Sequence, residues 1–246
     1  MLRTAAMMQP YLFPYLGYFQ LIARSDVFVL GDDLQYVKGS WMNRNRILVN
    51  GQPKLITFPL RKGGQFDQIN QRWLCDEFAQ EAEKLLKTLK LAYARAPYQE
   101  EVLALIRQIL SHPEPNLARF TEHSIRCICA YLGIATPIRL GSELGLPARM
   151  DKQERVISIA KKLGAELYIN PIGGTALYCP ALFRSHGLSL RFLRMDELSY
   201  PQFKQPFVPS LSVIDVLMFN GQRDARALLK CFSLVEGTER HAAQPA

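Results

Sequence analysis

The pattern of apolar and polar positions divides the start of the chain into a strand, a loop, a helix and a second strand. The strands are predicted at residues 4–8 and 26–30 and the helix at 18–24, with two prolines and a glycine in the loop between. This order is typical of a parallel crossover unit. Ligands of such units bind beyond the carboxyl ends of the strands. The loops that follow the two strands are therefore expected to converge on one site.

A β-hairpin is predicted next, because strand-like runs at 46–49 and 54–58 surround an Asn50-Gly51 turn. Apolar residues then recur at helical spacing in a segment that we interpret as a helical insert at about 76–133. Its three helices are expected at 78–93, 98–110 and 116–132, the last ending at Gly133.

Strands and helices alternate again after the insert, which indicates that a parallel sheet is completed there. The expected strands are 138–140, 167–169 and 188–193, and the expected helices are 153–163 and 177–186. A last helix starts at Ser210 or Ser212 and is expected to end at Asn220-Gly221. The predicted fold class is α/β, a mostly parallel Rossmann-like sheet with a β-hairpin and a helical insert. We expect a single domain over 1–236 and a disordered tail at 237–246.

Composition and charge narrow the class of partner. The net charge of +8 and the pI near 9.3 fit nucleic-acid binding, but lysines and arginines are interleaved with acids along the whole chain. A small anionic ligand, such as a sugar nucleotide, is therefore favoured over nucleic acid.

The sequence also bears on location and on metals. The first apolar run is short, and none approaches the roughly 18 residues of a membrane span, so a cytoplasmic protein without a membrane span is expected. The five cysteines include no CxxC pair and the four histidines are dispersed, so we expect no structural metal.

Residues 9–46 combine aromatic rings, amides, acids and arginines in a way that is typical of a small-molecule site. Asp32 and Asp33 follow the second strand and are predicted as catalytic residues, one of them a general base; the alternative is that they cap the next turn. The predicted substrate-binding residues of this stretch are Gln9, Tyr11, Tyr15, Tyr18, Gln35, Tyr36, Trp41, Asn43, Arg44, Asn45 and Arg46.

Alternation at the hairpin entrance puts Asn43 and Asn45 on one face and Arg44 and Arg46 on the other. Two guanidinium groups would bind phosphate or carboxylate, whereas two amides would suit sugar hydroxyls or a base edge. The sequence leaves open which pair faces the site.

Two further segments carry candidate groups. The loop Asn170-Pro-Ile-Gly-Gly174 follows a strand, and Asn170, Gly173 and Gly174 are predicted to bind substrate because glycines permit close backbone approach. Asp215 is an acid on an apolar helix and needs a partner, either Arg44 or Arg46 or the substrate.

Several motifs together resemble the WbqC-like family of bacterial surface-polysaccharide gene clusters. They are Gln9-Pro-Tyr-x-x-Pro-Tyr-x-Gly-Tyr-Phe19, Asp32-Asp-x-Gln-Tyr36, Trp41-x-Asn-Arg-Asn-Arg46, Asn170-Pro-x-Gly-Gly174 and Pro209-x-x-Ser-x-x-Asp-x-x-x-x-Asn220. The resemblance extends to about residue 235. It implies a role in O-antigen or lipopolysaccharide synthesis, with transfer of an acyl or aminoacyl group from an acyl donor to an amino sugar or sugar nucleotide.

Two other functions stay open. The opening layout looks like that of HIGH-type nucleotidyltransferases, but Tyr15 and Tyr18 stand where those enzymes carry catalytic histidines. The other hypothesis is a non-enzymatic sugar-binding or assembly protein. The sequence shows no obvious Ser-His or Cys-His pair, so direct transfer is expected rather than a covalent intermediate.

Overall fold

A computed structural model of the protein describes residues 2–147, 149–203 and 206–237. The first α/β half contains β1 (Thr4–Met8), α1 (Leu16–Arg24), β2 (Val27–Leu30) and the hairpin β3 (Arg44–Val49) and β4 (Gln52–Thr57). The helical insert follows as α2 (Phe78–Ala92), α3 (Gln99–Leu110) and α4 (Leu117–Leu132). The remaining elements are β5 (Ile138–Leu140), α5 (Lys152–Lys162), β6 (Leu167–Pro171), α6 (Pro180–Ser185), β7 (Ser189–Met195), α7 (Val213–Leu228) and β8 (Phe232–Val235).

Within the described residues, six strands form one sheet in the order β5-β2-β1-β6-β7-β8, and β3 and β4 form a separate antiparallel pair. The first five strands of the order are parallel, and β8 runs antiparallel to β7. The chain builds outwards from β1 to β5 and then returns to place β6 on the other side of β1. This reversal is the topological switch point at which open α/β sheets bind ligands. The predicted α/β class with a mostly parallel Rossmann-like sheet, a hairpin and helices is confirmed.

The sheet separates two hydrophobic clusters, and β2 shows why. Its alternate residues point to opposite faces, so Phe28 and Leu30 pack with α1, the insert and α7, whereas Val27 and Val29 pack with α5 and α6. The first cluster is continuous from the sheet into the insert. The prediction that residues 1–236 form one domain stays a prediction.

Two features of the carboxyl-terminal part differ from the sequence prediction. The helix that begins at Val213 breaks at Asn220-Gly221 as predicted, with Gly221 at φ 62° and ψ −174°, but helical backbone resumes after the break and extends α7 to Leu228. Strand β8 was not predicted at all. The predicted tail at 237–246 lies, apart from its first residue, outside the described residues. None of the helices in the described part of the chain combines the length and apolar character that a membrane crossing requires.

Candidate binding site at the carboxyl edge of the sheet

The loop after β1 is held rigidly by its neighbours. The Asn45 side-chain amide donates to the carbonyl oxygens of Leu12 and Phe13 at 3.0 and 2.8 Å, and the Ser212 hydroxyl also donates to Phe13 at 2.7 Å. The backbone amide of Ser212 in turn donates to the carbonyl of Arg46 at 2.9 Å. The β1 loop, the hairpin and the start of α7 therefore form one bonded unit.

This unit encloses a small cavity of about 180 Å³, which we call the aromatic pocket. Trp41 is 39% exposed, and the Arg46 guanidinium carbon lies 5.4 Å from the centre of its ring. Burial raises the pKa of Tyr11 and of Tyr15, so both phenols stay protonated at neutral pH and can donate hydrogen bonds. The pocket is lined by Tyr11, Pro14, Tyr15, Trp41, Asn45, Arg46 and Ser210.

A larger cavity of about 610 Å³, the acidic groove, shares Tyr15 and Ser210 with the aromatic pocket. Exposed carboxylates at Asp196 and Glu197, just after β7, lie along it. Its other lining residues include Leu16, Met195, Leu198, Ser199, Tyr200, Phe207, Pro209, Leu211 and Val216. The two cavities together offer aromatic rings and a guanidinium group at one end and carboxylates at the other.

Two helices begin beside the aromatic pocket. Helix α1 starts directly after Tyr15, and α7 starts after its N-cap Ser212, whose neighbour Val213 donates its amide to the Pro14 carbonyl at 2.9 Å. A helix N-terminus carries a partial positive charge, which favours an anionic group at the start of α1. The first two amides of α7 already donate to Pro14 and Ser212, and Asp215 lies in its first turn.

A third cavity, of about 990 Å³, lies on the other side of the hairpin entrance, and we call it the basic basin. It contains five of the chain's basic side chains together with Gln35, Tyr36 and Asn43. Its lining residues are Gln35, Tyr36, Val37, Lys38, Gly39, Asn43, Arg44, Thr57, Leu60, Arg61, Lys62, Gly63, Gly64, Gln65 and Arg72.

The structure decides which residues of the hairpin entrance point inwards. Asn43 is buried, donating to the Phe58 carbonyl at 2.7 Å and accepting from the Tyr36 hydroxyl at 3.1 Å. Arg44 and Arg46 lie on the more open face, with guanidinium carbons 6.0 and 5.4 Å from the Trp41 ring centre. The side-chain amides of Asn43 and Asn45 thus donate hydrogen bonds to backbone carbonyls, and the arginines are the pair available to a ligand.

Asp32 and Asp33 lie at the end of β2, as predicted, but both are engaged. Asp32 is almost fully buried and accepts hydrogen bonds from the backbone and hydroxyl of Ser142 at 2.9 and 2.6 Å and from Asn70 at 3.2 Å. Asp33 forms an ion pair with Arg155 of α5. Among the described residues that line the three cavities, neither carboxylate is present.

Gln9, Tyr11 and Tyr18 form a chain of contacts at the end of β1. The Tyr18 hydroxyl donates to the Gln9 carbonyl at 2.8 Å, and the Tyr11 hydroxyl donates to the Gln9 side chain at 3.2 Å. Tyr18 has no exposed surface and packs edge-on against Phe28. It therefore supports the loop from the core and does not reach a ligand, whereas Tyr11 lies at the pocket wall.

Asn170 lies at the end of β6, next to β1, and packs against its own loop. Its side-chain amide donates to the Pro171 carbonyl at 3.0 Å. A Cβ atom at Gly174 would lie 1.9 Å from that amide nitrogen, so the glycine makes room for Asn170, while Gly173 faces open space. Gln9, Asp33 and Asn170 thus lie at one edge of the large sheet and line none of the three cavities, whereas Asn45, on the hairpin, lines the aromatic pocket.

The partners of Asp215 are not the arginines that the sequence suggested. Its fully buried carboxylate accepts from the hydroxyls of Tyr93 and Tyr200, each at 2.8 Å, and from the Gln202 amide at 2.6 Å. Burial raises the pKa of Asp215, and these hydrogen bonds oppose the shift.

The sequence prediction missed one Cys-His pair, although its members are four residues apart on α4 and such residues share a helix face. The Cys127 sulfur lies 3.5 Å from Nε2 of His123, whose ring stacks on His112 at 3.7 Å. Burial raises the pKa of Cys127, so the thiol stays protonated, and burial with the neighbouring His112 lowers the pKa of His123. A raised thiol pKa disfavours the thiolate form in which cysteine acts as a nucleophile.

Sequence reasoning missed several residues that line the cavities. Asp196 and Glu197 follow β7, and the rule that ligands gather beyond strand ends could have drawn attention to them. Lys38 is a single charge in a polar loop, and Ser210 has a positive φ of 59° that no sequence pattern predicts.

Comparison with known proteins gives one family and one relative. Residues 9–227 match the model of the WbqC-like protein family. The chain is 30% identical over 233 residues to the uncharacterized protein Rv1507c of Mycobacterium tuberculosis, covering 93% of this chain and 98% of that protein. No solved structure matches the chain significantly. A family match over most of its length shows that the chain belongs to the WbqC-like protein family.

Proposed function

We propose that the protein is a cytoplasmic transferase of bacterial surface-glycan synthesis, acting in O-antigen or lipopolysaccharide pathways. It transfers an acyl or aminoacyl group to the amine of an amino sugar or sugar nucleotide. One observation carries the proposal, namely the aromatic pocket that opens through Tyr15 and Ser210 into the acidic groove. Aromatic walls with a few polar groups bind small organic ligands, and this pair of cavities adds charges of both signs.

The charges suit an amino-sugar nucleotide. Trp41 stacks against a sugar or base face, and Arg46 with the N-terminus of α1 binds phosphate. Asp196 and Glu197 attract the substrate's ammonium group.

In the transfer step the deprotonated amine attacks the acyl carbonyl carbon. The new C–N bond forms as the bond to the donor's leaving group breaks, and the amine proton passes to a base. Asp32 and Asp33 stay the predicted bases, but their hydrogen bonds and ion pair favour an architectural contribution. Asp196 and Glu197 are the carboxylates that border the groove, and they are the next candidates.

The experiment is a panel of nucleotide-linked amino sugars and acyl donors, with products identified by mass spectrometry. Trp41→Ala and Arg46→Ala are expected to weaken sugar-nucleotide binding about tenfold or more, since each removes a contact of the pocket. Trp73→Ala is the matched control, because Trp73 is similarly exposed at 43% and lies outside the pocket. Equal affinity in all three variants would contradict the proposal.

A nucleotidyltransferase or ligase is the second candidate, favoured by the strand order of the sheet, which is that of dinucleotide-binding folds. Calorimetric titration with ATP, CTP and magnesium separates the two, because this function requires tight binding of a nucleoside triphosphate. A sugar-binding protein without activity would bind panel members and yield no product.

A further inference from the structure

The basic basin is separate from the aromatic pocket, and Trp41 with its two flanking arginines stands between them. Arg44 lines the basin and Arg46 lines the pocket. We propose that the basin is a second anion-binding subsite, which takes the diphosphate or longer phosphate chain of a nucleotide-like co-substrate. Calling this ligand a co-substrate rests on the proposed function, whereas the phosphate binding itself does not.

The first support is an excess of unneutralised charge. Five basic residues line the basin, and two of them are paired, Arg61 with Asp76 at 2.7 Å and Arg72 with Asp67 at 3.1 Å. Among the described residues, no carboxylate lies within ion-pair distance of the other three, which are Lys38, Arg44 and Lys62. Three such cations facing one cavity attract a ligand that carries two or more negative charges.

The second support is that the wall of the basin is built around a buried guanidinium group. Arg72 is only 9% exposed, and it donates to the Arg61 carbonyl at 3.0 Å while its partner Asp67 accepts from the Gly64 amide at 2.7 Å. A Cβ atom at Gly63 would lie 1.8 Å from an Arg72 nitrogen, so the loop wraps closely around this ion pair. Lys62 is thereby held at the rim on an anchored loop.

Tyr36 connects the opposite wall of the basin to the Arg72 guanidinium group. The Arg72 guanidinium carbon lies 4.8 Å from the centre of the Tyr36 ring, and the Tyr36 hydroxyl donates to Asn43. Across the basin, the Gln35 amide donates to the Gln65 carbonyl at 3.3 Å. Both walls are therefore fixed before a ligand arrives, which lowers the entropic cost of binding.

The shape and lining select a small polyphosphate over a nucleic acid. The cations surround one concave cavity of about 990 Å³ and do not form a stripe along the surface. Tyr36, Val37 and Leu60 add apolar surface beside the charges, which suits the organic part of a nucleotide. Arg44 is held by a bond from its Nε to the Ser40 carbonyl at 3.1 Å, and its terminal nitrogens lie beyond that bond.

The test is calorimetric titration with inorganic pyrophosphate and with ADP at low and moderate salt. The double variant Lys38→Gln/Lys62→Gln and the single variant Arg44→Gln are expected to bind both probes about tenfold more weakly than the unchanged protein. The control is Lys87→Gln/Lys90→Gln, which removes two charges from exposed positions on α2 and is expected to stay within about twofold.

Three results would overturn the proposal. They are no binding of either probe by the unchanged protein, equal weakening by the basin and control variants, and displacement of ADP by a mixed-sequence oligoribonucleotide at far lower concentration. If amino sugars yield no product while the basin variants still bind pyrophosphate more weakly than the unchanged protein, the proposed function is wrong and the proposed subsite stands. If products form but the basin variants bind pyrophosphate as tightly as the unchanged protein, the proposed subsite is wrong and the proposed function stands.

Discussion

At the scale of single residues, the buried carboxylate of Asp215 is satisfied, among the residues that the structure describes, by two hydroxyl groups and an amide. The Tyr93 hydroxyl, which donates to Asp215, also accepts the backbone amide of Leu48 on β3 at 2.9 Å. Tyr200 and Gln202 complete the set from the segment before α7. One side chain therefore joins the hairpin, the insert and the last helix.

Tyr93→Phe removes the hydroxyl from both bonds at once. We expect the free energy of unfolding to fall by about 1–3 kcal/mol, since a buried amide and a buried carboxylate each lose a partner. Urea unfolding followed by circular dichroism measures the change. Tyr131→Phe is the control, because it removes a hydroxyl bonded to Glu101 at the surface. A loss no greater in Tyr93→Phe than in this control would show that the network contributes little.

The sequence is least informative about the direction in which single side chains point. Alternation predicted correctly that Asn43 and Asn45 oppose Arg44 and Arg46, but not which pair faces inwards. The choice depends on backbone carbonyls that come from Leu12, Phe13 and Phe58, and no local pattern reveals where those carbonyls will lie. Asp215 was misjudged for the same reason, because its donors are distant along the chain.

At the scale of elements, the break within α7 depends on one glycine. Gly221 has φ 62° and ψ −174°, a conformation available essentially to glycine alone, and a Cβ there would lie 2.5 Å from the Tyr98 ring. Strand β8 follows α7 and pairs with β7, so the direction of the helix after the break decides where the last strand joins the sheet.

Gly221→Ala is expected to lower the free energy of unfolding by about 1–3 kcal/mol from backbone strain, with a further loss from the contact with Tyr98. Thermal and urea unfolding measure the effect. Gly173→Ala is the matched control, since a Cβ at Gly173 meets open space, and we expect its change to stay within about 0.5 kcal/mol. Similar stability of the two variants would mean that the break in α7 relaxes freely.

Most elements could be read from periodicity because each presents a clear apolar face. Strands β1, β2 and β5 were found within a residue of their ends, and Gly133 does end α4 in a left-handed conformation at φ 69°. Asn-Gly is a strong stop signal, and at 220–221 it does mark the break in α7, after which helical backbone resumes and continues to Leu228. Strand β8 is short and only partly buried throughout, so it lacks the alternation that identifies a strand.

At the scale of the whole molecule, the helical insert and the sheet share one hydrophobic cluster. Phe58, just after the hairpin, meets Phe78 of α2 and Phe120 of α4 edge-on, with ring centres 5.0 and 6.1 Å away. The three residues that carry these rings are far apart along the chain. This shared core favours cooperative unfolding of the insert together with the sheet.

Phe120→Ala is expected to lower the free energy of unfolding by about 3–5 kcal/mol, because it empties a fully buried position. Far-ultraviolet and near-ultraviolet circular dichroism should still report one coincident urea transition. Two separated transitions, in this variant or in the unchanged protein, would show that the insert folds independently and would contradict the single-domain prediction.

Both outer strands of the large sheet are poor templates for intermolecular pairing. β5 has only three residues, with Arg139 exposed at its centre, and β8 has four and reverses direction. In the separate hairpin, β4 carries Pro53, which lacks a backbone donor. Short, charged or proline-containing edges are how natural proteins avoid edge-to-edge aggregation. The molecule can therefore keep the carboxyl edge of its sheet, where the binding site is proposed, open while its lateral edges resist growth into fibrils.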